Sequence, residues 1–297
     1  MPDLRTTTAD GWRLGLVRTP APGQPRGVLL LLHAMMVDHR CLDRPAGAGL
    51  ASALAARGYE VWRADFRGRG MSGPPPKEGG RWRYDDLVRH DLPALVGAVR
   101  AVSPGLPLAI VGHSLGGHVS AASLGMGLVE ADALVGLAIN IWQPRLEPSL
   151  RKRWRKRLGS WFFGGLGGVL GRVPARRLRI GPCDEAGPYA MDLLRFWRQD
   201  RWTSADGRDD YDAALAQLGC PALMVVGTGD DVYATPAAAR AWAAQIGPDP
   251  AAFWLVGEGA FGVEGHPGHM DIAVDPVAAP LWSRIADWLD EALPTRP

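Results

Sequence analysis

The residues Gly112-His113-Ser114-Leu115-Gly116-Gly117 set a serine among glycines directly after the apolar run Leu108-Ala109-Ile110-Val111. Gly-x-Ser-x-Gly between a strand and a helix is the pattern of a nucleophile elbow. So sharp a turn strains the serine backbone. Gly112 and Gly116 are needed beside it because a Cβ there would strike the neighbouring strand or helix. The turn lifts the Ser114 hydroxyl above the sheet edge at a helix N-terminus. A serine hydroxyl is a poor nucleophile at neutral pH, so it requires a base within hydrogen-bond reach and a third group to orient that base.

Seven histidines are available as the base. His33, His113 and His118 belong to the loop and elbow and read as structural, His90 falls in mid-helix, and His39 reads as a polar loop residue. His266 and His269 follow the last strand, where a base can reach the elbow. His269 is preferred because Gly268-His269-Met270-Asp271 forms a tight turn just ahead of a helix, with His266 as the fallback. For the acid, the strand ending at Val226 runs into Gly227-Thr228-Gly229-Asp230-Asp231. Asp231 is the expected partner of the imidazole and Asp230 its rival, separated only by loop spacing to Pro236. Two aspartates in a turn are equally common as plain turn formers. The order Ser114, Asp231, His269, each after a separate strand, favours the catalytic reading. The Leu115 N–H, placed by the elbow, and the Met35 N–H, after the strand ending at Leu32, are the expected oxyanion donors.

Three other patterns carry less. Gly68-Arg69-Gly70-Met71-Ser72-Gly73 is a literal GxGxxG, but Pro74-Pro75-Pro76 follows where a dinucleotide site requires a helix. Gly227-Thr228-Gly229 is shorter still. His266, His269 and Asp271 lack an evident fourth ligand for a metal. No metal and no organic cofactor is expected.

The elements that must position these residues alternate. Leu4–Thr8 and Trp12–Arg18 read as strands about the turn Ala9-Asp10-Gly11. Gly27–Leu32 is a continuous apolar run, as a parallel strand buried on both faces requires. A helix over 50–57, a strand over 60–65, a helix over 84–102, the elbow strand and helix, and a strand over 133–140 follow. The pattern resumes with a strand at 221–226, a helix at 236–246, a strand at 252–256 and a helix at 277–293. This βαβα order predicts a doubly wound, mostly parallel α/β sheet, whose ligands sit outside the strands' carboxyl ends. Between 141 and 212 no strand is evident. That stretch is expected to be a helical cap inserted between two sheet strands, dividing a core of 1–140 and 213–297.

Composition is that of a globular protein, with 47% hydrophobic and 22% charged residues. A net charge of +2 argues against a charge-driven nucleic-acid binder. Cys41, Cys183 and Cys220 form no CxxC, the N-terminus lacks an apolar signal region, and no run spans a membrane. A reducing, cytoplasmic setting is expected. Charge is unevenly placed: the 141–212 stretch holds 15 Lys+Arg against 9 Asp+Glu, six of them in Arg151-Lys152-Arg153-Trp154-Arg155-Lys156-Arg157. A solvated helix face is the plain reading. The sharper one is contact with an anionic partner: a coenzyme A thioester, a carboxylated substrate or a phospholipid membrane surface. Trp142, Trp161, Phe162, Phe163, Phe196 and Trp197 read mainly as cap core, with a few roofing an apolar pocket beside Met35 and Met36.

Taken together, the chain resembles an α/β-hydrolase of the esterase/lipase type, closest to a bacterial branch of predicted hydrolases. His33-Ala34 stands where that family usually has His-Gly. Asp65-Phe66-Arg67-Gly68-Arg69-Gly70-Met71-Ser72-Gly73 is similar to its Asp-x-Arg-Gly-x-Gly-x-Ser loop. The elbow matches the family's commonest form, and Gly268-His269 matches its base loop. The resemblance implies a serine hydrolase acting on a small-molecule acyl substrate, an ester first, through an acyl-enzyme. An acyltransferase, thioesterase, lactonase or C–C hydrolase would use the same triad. A non-catalytic binding protein on this scaffold would be marked by loss of a triad member, and none is lost.

Overall fold

The structure, a computed structural model, describes residues 3–247 and 251–294. Strands β1 (Leu4–Thr7), β2 (Arg13–Thr19), β3 (Gly27–Leu32), β4 (Tyr59–Ala64), β5 (Leu108–His113) and β6 (Ala133–Leu137) precede a two-stranded ribbon of β7 (Arg172–Val173) and β8 (Glu185–Ala186). β9 (Ala222–Gly227) and β10 (Ala252–Val256) complete the main sheet, ordered β1-β2-β4-β3-β5-β6-β9-β10. β1 and β2 pair antiparallel with their neighbours, and every other pairing in this sheet is parallel.

The apolar run of β3 is buried along its whole length because helices cover both faces of the sheet. Alternation divides it. Val28, Leu30 and Leu32 join the core that holds Leu115 and Val119 of the elbow helix, whereas Leu29 and Leu31 join the opposite core with Trp282 and Leu289. No helix among the described residues is long and apolar enough to cross a membrane.

Three local departures from the sequence pattern have physical causes. The helix expected over 84–102 contains a widened π turn at Leu87–Asp91, just ahead of Pro93, which has no N–H to donate. β6 ends at Leu137 rather than at residue 140, because Ala138 adopts a left-handed φ of 51° and turns the chain out of the sheet. The 141–212 stretch does contain strands, but β7 and β8 are two residues each, too short for an alternating pattern to register.

Between β6 and β9 the chain leaves the sheet. A helix at Leu150–Leu170 starts on the Ser149 side chain, which accepts from the Lys152 N–H, and stops at Gly171 with φ 67°. It packs closely on the helix Gly187–Gln199 through small residues: a Cβ on Gly164 would come within 2.6 Å of Leu194, and one on Gly167 within 2.8 Å of Ala190.

The elbow is equally tight. A Cβ on Gly112 would lie 2.4 Å from the Gly117 backbone, and one on Gly116 2.6 Å from the Leu32 carbonyl oxygen. Gly112→Ala is therefore expected to lower the unfolding free energy by about 1–3 kcal/mol. The measurement is a lower urea midpoint at constant m-value, and an unchanged midpoint would mean that the turn has room to spare.

Candidate active site

Ser114 follows β5 with φ 50° and ψ −111°, a strained conformation for a residue with a side chain. Its N–H donates to the Leu137 carbonyl at 2.8 Å, and the Gly116 N–H donates to the His33 carbonyl at 3.1 Å. The turn is thus pinned to the strand ends on both sides. The elbow helix begins at Leu115, so the Leu115 N–H has no preceding helical carbonyl to bond.

His269 enters from the loop after β10. Its Nδ1 lies 2.6 Å from Asp230 Oδ2, and its ring packs at a 41° tilt against Tyr233 with centroids 4.7 Å apart. Asp230 is 1% exposed, and its second oxygen accepts the Tyr233 N–H at 3.0 Å. Burial pushes the Asp230 carboxyl up. The hydrogen bond and charge of His269, with the N–H groups of Ala234 and Tyr233, outweigh this and hold it below the usual carboxylate range.

The carboxylate against the imidazole is therefore Asp230, where the sequence pattern favours Asp231. The Asp230 N–H closes a turn on the Gly227 carbonyl at 3.2 Å, and that turn sends consecutive side chains in opposite directions. Asp231 is largely exposed and pairs with Lys152 at 2.9 Å. His266 is exposed too, its Nδ1 3.2 Å from the Thr228 hydroxyl and 3.7 Å from Glu258. Asp271 accepts the Gly268 N–H at 2.7 Å, so His266, His269 and Asp271 each face a different partner.

Ser114, Leu115, Met35 and His269 share the wall of a cavity of about 250 Å³. Trp142, Phe162, Phe163 and Phe196 line it with Met36, while Trp197 is buried outside it and Trp161 is half exposed. The insertion thus supplies much of the roof. It is fastened on one side to the acid loop. Beyond the Lys152–Asp231 pair, Trp142 Nε1 donates to the Tyr233 carbonyl at 2.8 Å. Buried Lys156 donates to Glu147 at 2.9 Å, and Glu147 also accepts the Thr235 hydroxyl at 2.6 Å. On the other side, Glu185 pairs with Arg69, both fully buried, and accepts the Met36 N–H at 2.6 Å. Nothing in the sequence pattern marks Glu147, Lys156 or Glu185; Arg69 lies within the Gly-rich loop but shows its role only once Glu185 is opposite.

His33 Nδ1 lies 2.7 Å from the Ala34 carbonyl, and His39 Nδ1 lies 2.8 Å from Asp65. Burial pushes the His113 and His118 imidazoles down to about 3, with nearby His269 adding to it, so both are neutral in the fold. The unfolded chain protonates near the ordinary value of 6.5. Their contribution to stability is then complete above pH 6.5 and is lost as the pH falls from 6.5 towards 3. Urea stability is expected to drop between pH 7 and 5, by about 1.4 kcal/mol per pH unit for each proton taken up. The slope should be one proton shallower in His118→Gln; equal slopes in the two proteins would refute this origin.

Residues 23–167 match the serine aminopeptidase S33 family of hydrolases. Triacylglycerol lipase 2 of Arabidopsis thaliana is 32% identical over 139 residues, covering 41% of this chain and 33% of that protein. Human lipase member N is 28% identical over 127 residues, covering 38% and 32%. The chain thus spans about a third of the length of these curated relatives. Among solved structures, a soluble variant of monoglyceride lipase from Saccharomyces cerevisiae superposes with a TM-score of 0.68 at 18% identity, covering 99% of this chain and 96% of that one. An esterase of Rhodococcus superposes at 0.60 with 20% identity, covering 98% and 100%. The strand order, with its elbow after β5, is that of the α/β-hydrolase fold, and the sequence similarity to the serine aminopeptidase S33 family runs through that elbow.

Proposed function

We propose that this protein is a serine hydrolase that cleaves a carboxylic ester of a small acyl substrate, using Ser114, His269 and Asp230. The observation that carries the reading is the 2.6 Å contact of His269 Nδ1 with a buried carboxylate, on the cavity wall that also holds a strained serine. Ser114 Oγ attacks the ester carbonyl while His269 Nε2 takes its proton, and Asp230 stabilises the imidazolium. The Leu115 and Met35 N–H groups receive the negative charge that develops on the carbonyl oxygen. Collapse breaks the bond to the alcohol, which leaves with the proton from His269. Water, deprotonated by the same imidazole, then attacks the acyl-enzyme and frees the acid and Ser114. Residues 141–212 act as the cap, the cores 1–140 and 213–297 as the platform, and the apolar lining favours an acyl chain over a charged one.

Two measurements test this. A fluorophosphonate probe should label the wild type and not Ser114→Ala, and p-nitrophenyl esters of increasing acyl length should then report the depth of the cavity. Asp230→Asn should lower kcat by about 10⁴-fold through the wrong imidazole tautomer, whereas Asp231→Asn, an exposed partner of Lys152, should leave it within about threefold, the loss of a surface pair. The reverse ranking would return the acid role to Asp231.

A specific observation also favours a membrane surface as the partner of the basic cap. The helix Leu150–Leu170 is turned inside out: Lys156, Ser160, Gly164 and Gly167 face the protein. Leu150, Trp154, Leu158, Trp161, Phe162 and Val169 are 48–85% exposed. Arg151, Arg155 and Arg157 are exposed among them, and the helix holds no acidic residue. Apolar side chains mixed with cations suit the headgroup boundary of an anionic bilayer. A second copy of the chain would instead set one cationic helix against another. The protein should co-sediment with phosphatidylglycerol vesicles, more weakly with phosphatidylcholine and less at high salt. Arg155→Glu with Arg157→Glu should abolish this without changing turnover of a soluble ester. Equal partition into both vesicle types would overturn the proposal.

A further inference from the structure

The donor expected from the loop after β3 is a single backbone N–H on a short stretch, His33 to Met36, that lies outside regular structure. Such a donor contributes to transition-state stabilisation only if it is aimed before the reaction begins. Met36 is costly in this respect, because it adopts a left-handed φ of 62° without being glycine.

What holds it there comes from the insertion. The Met36 N–H donates to Glu185 Oε1 at 2.6 Å, and the Met36 carbonyl accepts the Cys183 N–H at 2.9 Å. Gly181 approaches so closely that a Cβ on it would lie 2.6 Å from Met36 Cβ. Glu185 is itself immobilised. Arg69 pairs with both of its oxygens, and the guanidinium lies over the rings of Trp82 at 5.3 Å and Tyr189 at 5.7 Å. The other side of Met35 is fixed separately. The Ala34 carbonyl shares a peptide plane with the Met35 N–H, and His33 Nδ1 holds that carbonyl at 2.7 Å. Met35 is therefore bracketed, by His33 through the plane before it and by Glu185 through the plane after it.

We infer that Glu185, locked by Arg69, is a positioning residue for the oxyanion donor at Met35, so that the seating of the insertion sets the catalytic competence of the elbow. The inference rests on the hydrolase reading above, and it adds a residue from outside the core to that site. It also explains why a fully buried ion pair is present where apolar side chains of the same volume would cost the fold nothing: the carboxylate oxygen is needed by a backbone N–H.

Two double variants separate the roles. Glu185→Met with Arg69→Met removes the pair without stranding a charge, and takes the acceptor away from the Met36 N–H. Glu185→Gln with Arg69→Met also removes both charges but retains an oxygen acceptor. With p-nitrophenyl butyrate, the first should lower kcat by about 10- to 100-fold, short of the full loss of a donor, with KM within about twofold of wild type. Binding of a trifluoromethyl ketone, whose hemiketal oxyanion occupies the same position, should weaken by the same factor. The glutamine variant should retain both properties. If the first pair does not fold, Glu185→Asp, which keeps the charge and withdraws the oxygen by one methylene, should show the same parallel loss. Wild-type kcat in a folded methionine pair, or in Glu185→Asp, would overturn the inference. So would a fall in kcat with unchanged ketone affinity. No Ser114-dependent turnover in the wild type would instead remove the hydrolase reading beneath it.

Discussion

The whole site depends on one strained turn. Ser114 occupies a backbone conformation that a free chain avoids, and it stays there because Gly112, Gly116 and Gly117 let β5, β3 and the elbow helix close to distances that exclude a Cβ. Strain of this kind costs on the order of 1–3 kcal/mol and survives only where the surroundings over-determine it. Here the surroundings are the two hydrogen bonds that tie the turn to Leu137 and His33, and the apolar layers on either side of β5. The same closure aims the first helical N–H and carries the hydroxyl clear of the sheet. The position of the Ser114 hydroxyl and the aim of the Leu115 N–H are thus a single geometric fact.

The other participants arrive by a common route. Each follows the carboxyl end of a parallel strand, where the chain is free to vary without disturbing the ladder. Loop freedom brings a need for restraint, and the restraints differ. Asp230 is held by backbone donors and by His269, both within the core. The loop after β3 is held partly by the insertion, through a carboxylate that the core does not provide. Ser114, Asp230 and His269 lie in the core, but the loop after β3 is held in part by the insertion.

Much of this was legible in the residue pattern, and the exceptions are instructive. β3, β5 and β9 are fully buried strands and read as continuous apolar runs, and Gly-x-Ser-x-Gly marks its own conformation because only glycine fits. His269 stands out by its place in a tight turn after the last strand, and the structure sets its ring against Asp230. Asp230 and Asp231 were not separable, since neighbours in a turn differ only in the direction their side chains take, which a closing hydrogen bond to Gly227 decides. Glu185 was invisible for another reason. A buried carboxylate on a two-residue strand carries no periodicity, and its partners Arg69 and Met36 lie more than a hundred positions away in the chain. The helix Leu150–Leu170 misleads for a third reason: Ser160, Gly164 and Gly167 face inward while Trp154, Leu158 and Val169 face outward, so apolar periodicity points at solvent.

The grip of the insertion on two separate loops bears on how such proteins diversify. A cap is commonly pictured as an exchangeable roof, free to be replaced when a new acyl group must be accommodated. In this chain Trp142 and Glu147 hold the loop after β9, while Cys183 and Glu185 hold the loop after β3. A transplanted roof lacking those four contacts would bring a new pocket and leave the two loops beneath it unfastened. The heritable unit is therefore the roof together with its points of attachment, and the walls of the pocket are free to drift only between them.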